Sequence, residues 1–122
     1  MNKITICTNN PLVAEKYPKS AVLLACGVGG VFSDVRDRVH KGFPLISHPL
    51  SGSIKPNITP YKSVVVSGTK SELCLKSLQI IEDAIDVLKR LPETSHDYNE
   101  STLDDFRVID LDLVNSATGE NR

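Results

Sequence analysis

Ala21-Val22-Leu23-Leu24-Ala25-Cys26, followed at once by Gly27-Val28-Gly29-Gly30, is the stretch on which the fold turns. Six apolar residues without polar alternation suit a strand covered on both faces. The glycines after them suit a tight turn toward a helix. Upstream, Lys3-Ile4-Thr5-Ile6-Cys7-Thr8 is a β-branched run closed by Asn9-Asn10-Pro11, and it reads as a first strand. Asn10 is placed to cap a short helix from Pro11 to about Lys16, with proline in the first turn, where its missing N–H costs nothing. Pro18 ends it.

Downstream, Ser33-Asp34 opens a helix with an acidic first turn, Val31, Val35 and Val39 recur at helical spacing, and Gly42 is its stop. Pro44-Leu45-Ile46-Ser47 reads as a third strand, residues 48–60 as a proline-punctuated loop, and Tyr61 to Ser67 as a fourth strand. Leu78, Ile81, Ala84, Ile85, Leu88 and Leu91 form the stripe of a helix that starts within residues 71–77 and stops before Pro92. Residues 93–101 are polar and linker-like. Residues 106–117 fit two periods: Ile109, Leu111 and Leu113 alternate as in a strand, whereas Phe106, Ile109/Asp110, Leu113 and Ala117 fit a helix.

This order predicts a small three-layer doubly wound α/β sheet of about four mostly parallel strands, with helices on both faces. Residues 1–117 are expected to form one domain, with the acidic segment 93–117 packed on it and 118–122 as a disordered tail. A chain of 122 residues can bury a core without metals or disulfides. The three cysteines, widely spaced and odd in number, fit reduced thiols of the cytoplasm. With neither an apolar run long enough to span a bilayer nor a signal-peptide pattern, a membrane location is not expected.

The net charge of -1 conceals an asymmetry. Residues 1–92 carry twelve Lys/Arg against seven Asp/Glu, and residues 93–122 carry two against eight. The acidic segment either folds over the body or is merely solvated, or it screens or regulates a basic binding surface. Three Phe, three Tyr and no Trp give little support to nucleic-acid binding by base stacking.

Parallel strands would converge four loops on one edge: Thr8-Asn9-Asn10, Cys26 to Gly30, His48 to Ser53, and Ser67-Gly68-Thr69-Lys70. Their small hydrogen-bonding residues suit an anion or a polar metabolite. The glycine turn meets neither nucleotide-binding fingerprint, yet its N–H groups can face an anion at a helix start. The densest polar cluster lies in residues 48–57, and the expected ligand-binding set is Asn9, Asn10, Gly29, Gly30, His48, Ser51, Gly52, Ser53, Lys55 and Asn57. Cys26 with His48 is the candidate nucleophilic pair, and Cys7, Cys26 and His48 the candidate zinc set, although no paired Cys-x-x-Cys supports one. No cofactor or metal is expected.

His48-Pro-Leu-Ser-Gly-Ser-Ile-Lys-Pro-Asn-Ile-Thr-Pro-Tyr-Lys-Ser63 resembles the signature of the GrdX family. Thr8-Asn-Asn-Pro11, Ser77-Leu-Gln-Ile-Ile-Glu-Asp-Ala84 and Asp105-Phe-Arg-Val-Ile-Asp110 add to the likeness, while Cys26-Gly-Val-Gly-Gly30 is less family-like. The resemblance implies a small protein encoded beside glycine, sarcosine and betaine reductase components of amino-acid-fermenting anaerobes, and no established activity. Three roles stand as expectations. The leading one is an accessory or regulatory protein binding a small anion or metabolite. The others are a small enzyme using Cys26 or His48, and an interaction module docking a reductase component through the acidic segment. A homodimer is admitted as an assembly.

Overall fold

The computed structural model describes residues 3–51, 57–92 and 97–119. In chain order the elements are β1 (Ile4–Thr8), α1 (Pro11–Lys16), β2 (Ala21–Leu23), α2 (Val28–His40), β3 (Ser63–Ser67), α3 (Leu75–Arg90) and α4 (Glu100–Thr118). The sheet has the order β2-β1-β3, with β1–β2 parallel and β1–β3 antiparallel. None of the described helices is long and apolar enough to cross a membrane.

The expected four-stranded, mostly parallel, doubly wound sheet is therefore corrected to a three-stranded mixed one. Two local facts explain the difference. Residues 44–47 do run beside β3, but only as a single antiparallel bridge, Leu45 to Val66. Pro44 has no N–H to give, and the Val65 N–H goes to the Ser47 hydroxyl (2.8 Å), so no ladder propagates. The second fact is the return of the chain through residues 48–62, which inserts β3 between β1 and the 44–47 segment, running against both. Val64, Val65 and Val66 are fully buried. An apolar run buried on both faces is equally compatible with either direction, and the loop decides it.

Alternation along the strands then feeds two cores. Cys7, Val64 and Val66 face α2 and α3, meeting Val31, Phe32, Val35, Val39, Ile81, Ala84 and Ile85. Ile6 and Val65 face the other way, meeting Val13 of α1 and Val114 of α4, with Tyr17, Ala21 and Leu111 around them. Helix α2 starts at Val28 rather than at Ser33, because half-buried Val28 and buried Val31, Phe32, Val35 and Val39 make one stripe whose packing outweighs the low helix propensity of Gly29 and Gly30. Residues 106–117, which fitted two periods, lie within helix α4, and Thr118, expected in the tail, closes it.

Helix α2 closes at Lys41 and is followed by Gly42, whose φ is +102° and whose carbonyl accepts the Ser71 N–H at 2.8 Å. A Cβ there would lie 2.4 Å from the Ser71 carbonyl oxygen. Left-handed strain alone costs about 1–2 kcal/mol for an L-residue. Gly42→Ala is therefore expected to lower stability by at least that amount in urea unfolding, and an unchanged midpoint would show that the turn tolerates a side chain.

Candidate functional site

Three segments meet at the carboxyl edge of β1: the Thr8–Asn10 turn, the start of β3 with the residues before it, and the β2–α2 loop. Asn9 fastens them. Its Nδ2 donates to the carbonyls of Cys26 (3.0 Å) and Pro60 (2.9 Å), and its Oδ1 accepts the Lys62 N–H (2.9 Å). Asn10 is equally committed: Oδ1 accepts the Leu12 N–H as the cap of α1, and Nδ2 donates to the Arg107 carbonyl and to Asp110 Oδ2.

Beneath them lies a buried polar knot. The Asp110 carboxylate of α4 accepts from Ser63 N (3.1 Å), Ser63 Oγ (2.6 Å) and Asn10 Nδ2 (3.0 Å). Thr8 Oγ1 lies 2.6 Å from Ser63 Oγ and accepts the Asn10 N–H, so Thr8 can donate to Ser63 and Ser63 to Asp110 in one direction. Burial pushes the Asp110 carboxyl above its ordinary value, against the pull of the Ser63 and Asn10 hydrogen bonds and of Lys62. Burial likewise pulls Lys62 down, and its ammonium donates to the Ser51 carbonyl at 2.9 Å. A cavity of about 30 Å³ remains among His48, Ser51, Lys62, Ser63 and Asp110, room for ordered water and nothing larger.

A second feature is an open groove of about 630 Å³. Gly27, Val28 and Gly29 at the start of α2 form one end, Leu88, Lys89, Leu91 and Pro92 form one wall, and residues 57–60 with Tyr98 and Leu103 form the rest. Asn57 donates to the Pro92 carbonyl and Tyr98 to the Ile58 carbonyl, both at 2.9 Å, which holds that frame together. Gly27 caps α2 without a side-chain hydrogen bond, so among the described residues the first N–H groups of the helix, at the groove end, have no side-chain cap.

The expected ligand-binding residues are thus divided. Gly29 and Asn57 line the groove, while His48 and Ser51 border the small cavity. Asn9 and Asn10 brace the edge between them. Gly30 packs on Cys26, where an added Cβ would meet Cβ and Sγ at 2.6 Å. Gly52, Ser53 and Lys55 lie outside the described residues. The convergence of four loops is corrected to three: antiparallel β3 carries Ser67 to Lys70 to the opposite edge, where the Gly68 N–H meets the Lys3 carbonyl at 2.9 Å.

His48 is exposed, and its Nδ1 accepts the Leu50 N–H at 3.1 Å. Among the described residues no hydrogen bond joins it to the exposed Cys26, and no three His, Cys, Asp or Glu side chains gather to hold a metal ion. Cys7 lies in the core, where burial pushes its thiol up to about 12. Cys74 caps α3, its Sγ accepting the Ser77 N–H at 3.4 Å, and its thiol is pulled down by hydrogen bonding to the Ser77 side chain first and to this N–H second.

Sequence reading passed over Asp110 and Lys62 as site residues. The available signal was a carboxylate on the apolar stripe that fits α4 as a helix, a position where burial demands partners.

The class so defined is a small three-layer α/β protein with a buried polar knot and an open groove at one edge of its sheet. Within that class the chain belongs to the GrdX-like protein family, whose profile matches residues 5–119. No curated protein and no solved structure matches it.

Proposed function

We propose that this chain is an accessory or regulatory protein of glycine, sarcosine and betaine reductase metabolism that binds a small anion or polar metabolite at the groove. The association with reductases follows from what family likeness implies. The binding role is supported chiefly by one observation: α2 begins in this groove and, among the described residues, no side chain caps its N–H groups. Such a terminus carries roughly half a positive charge, and N–H groups without a cap favour an anionic oxygen. Among the described residues a side chain at Gly29 would meet only Leu88 Cδ2 at 3.8 Å, so an oxyanion can approach the backbone there closely. Lys89 adds a cation on the groove wall, and Asn57 adds an amide.

The test uses the cap itself. Gly27 has φ −82° and ψ −174°, an extended conformation open to any residue, and no described residue lies within 4 Å of an added Cβ. In Gly27→Asp the carboxylate occupies the place of the anion. The variant is expected to be more stable than wild type without ligand by about 0.5 kcal/mol. It is also expected to lose the thermal stabilisation that phosphate, sulfate or carboxylate metabolites give wild type through binding to the native state. Sulfate and phosphate also stabilise proteins by exclusion, and the comparison removes that contribution. Equal ligand-dependent shifts in the two proteins would place the anion elsewhere or nowhere.

A further inference from the structure

We propose that the outer face of α4 is a docking surface for a basic amphipathic helix of another protein. The inner face of α4 is already committed, through Asp110 to Ser63 and Asn10 and through Val114 to the core. On the outer face Val108 and Ile109 are 51% and 57% exposed, and they line an open cleft of about 300 Å³ together with Leu111, Asp112, Leu113 and Asn115. Side chains three and four residues apart are neighbours on a helix. Ile109 therefore has Asp105 one turn before it and Asp112 and Leu113 one turn after it, and Val108 has Asp112 one turn after it.

The charges on this face are unevenly satisfied. Arg107 pairs with Glu100 at 2.8 Å and with Asp104 at 3.7 Å. Among the described residues, Asp105 and Asp112 are in no ion pair, and both are exposed. They stand seven residues apart, about 10 Å at the helical rise, astride Ile109. An apolar centre between two unpaired carboxylates is complementary to an apolar side chain between two cations at the same spacing. A second helix offers that pattern when Lys or Arg at i and i+7 flank an apolar residue at i+3 or i+4. A second copy of the same face is disfavoured, because a two-fold axis would oppose Asp105 and Asp112 to their own counterparts.

The probe is a synthetic alanine-rich peptide of about 20 residues, long enough to populate a helix, with lysines at that spacing around a leucine. Fluorescence anisotropy is expected to show saturable binding that weakens with salt. Ile109→Ser should weaken it about tenfold, corresponding to about 1.4 kcal/mol, and Asp112→Asn about threefold at low salt. Both exposed substitutions should leave the melting temperature and any anion-dependent shift at the groove unchanged, so this result is separable from that of the groove. A peptide with glutamate in place of lysine should not bind. The proposal is overturned if the lysine peptide shows no saturable binding, if the glutamate peptide binds as well, or if Ile109→Ser binds like wild type. It is also overturned if sedimentation finds a dimer that Ile109→Ser dissolves, since a second copy would then cover the face.

Discussion

A chain ended at Leu91 is expected to show no cooperative unfolding transition. The missing residues include α4, which together with α1 covers one face of a three-stranded sheet. Without it Ile6, Val13 and Val65 lose Val114 and Leu111, and the Tyr17 hydroxyl loses Asn115 Oδ1 (2.6 Å) and Thr118. Each fully buried aliphatic side chain returned to water costs about 1.5–3 kcal/mol. Thr8, Asn10 and Ser63 would also lose the carboxylate that organises their polar groups, at about 1–3 kcal/mol for each buried donor left without a partner. Together these losses match the whole stability of a typical domain, about 5–15 kcal/mol. Circular dichroism during thermal melting of the fragment is the direct measurement. A sigmoidal melt near the wild-type midpoint would mean that the acidic segment is an appendage.

Much of this arrangement could be read from residue patterns, and the parts that could not share a cause. Local chemistry made α1 legible, since Asn10 and Pro11 form a capped start whatever lies around them. The stripe of α3 was legible because sixteen residues of amphipathic helix face a single core. The direction of β3 was hidden: Val64-Val65-Val66 reads the same whether a helix or a returning loop precedes it, and only the span of 48–62 separates the cases. The choice between strand and helix for residues 106–117 depended on Asp110, which suits the polar face of the strand pattern and violates the helical stripe until its partners on Asn10 and β3 are known. In the candidate site, the type of each asparagine was noticed but its use was not. Side chains suited to a ligand are equally suited to their own neighbours: Asn9 spends its amide on backbone groups, and Asn10 spends its amide on backbone and on Asp110.

Asp110→Ala is expected to destabilise the protein by about 3–5 kcal/mol, the range for removing one partner of a buried charged network. The residue left behind is small and apolar, so the Ser63 N–H and one Asn10 N–H would lose their acceptor, and of the Thr8 and Ser63 hydroxyls only one could still donate to the other. Asp110→Asn should cost less, about 1–2 kcal/mol. Its oxygen can still accept the Ser63 N–H, and the Ser63 hydroxyl can turn to accept from the new amide while donating to Thr8 Oγ1, 2.6 Å away. Only the Asn10 amide then meets a second donor, and it keeps its bond to the Arg107 carbonyl at 2.9 Å. The pair of variants also isolates a pH dependence. Burial holds the folded carboxyl above the ordinary value of 3.8, so between that value and the raised one the folded state binds the proton more readily than the unfolded state. Stability contributed by Asp110 must therefore rise as pH falls through this window, and be lowest above it, where the buried group is ionised. Asn at 110 cannot titrate. Urea unfolding of wild type and Asp110→Asn from pH 7 to pH 4 is expected to show wild type gaining stability relative to the variant on acidification. A constant difference across that range would mean that the Ser63 and Asn10 hydrogen bonds and Lys62 cancel the cost of burying the charge.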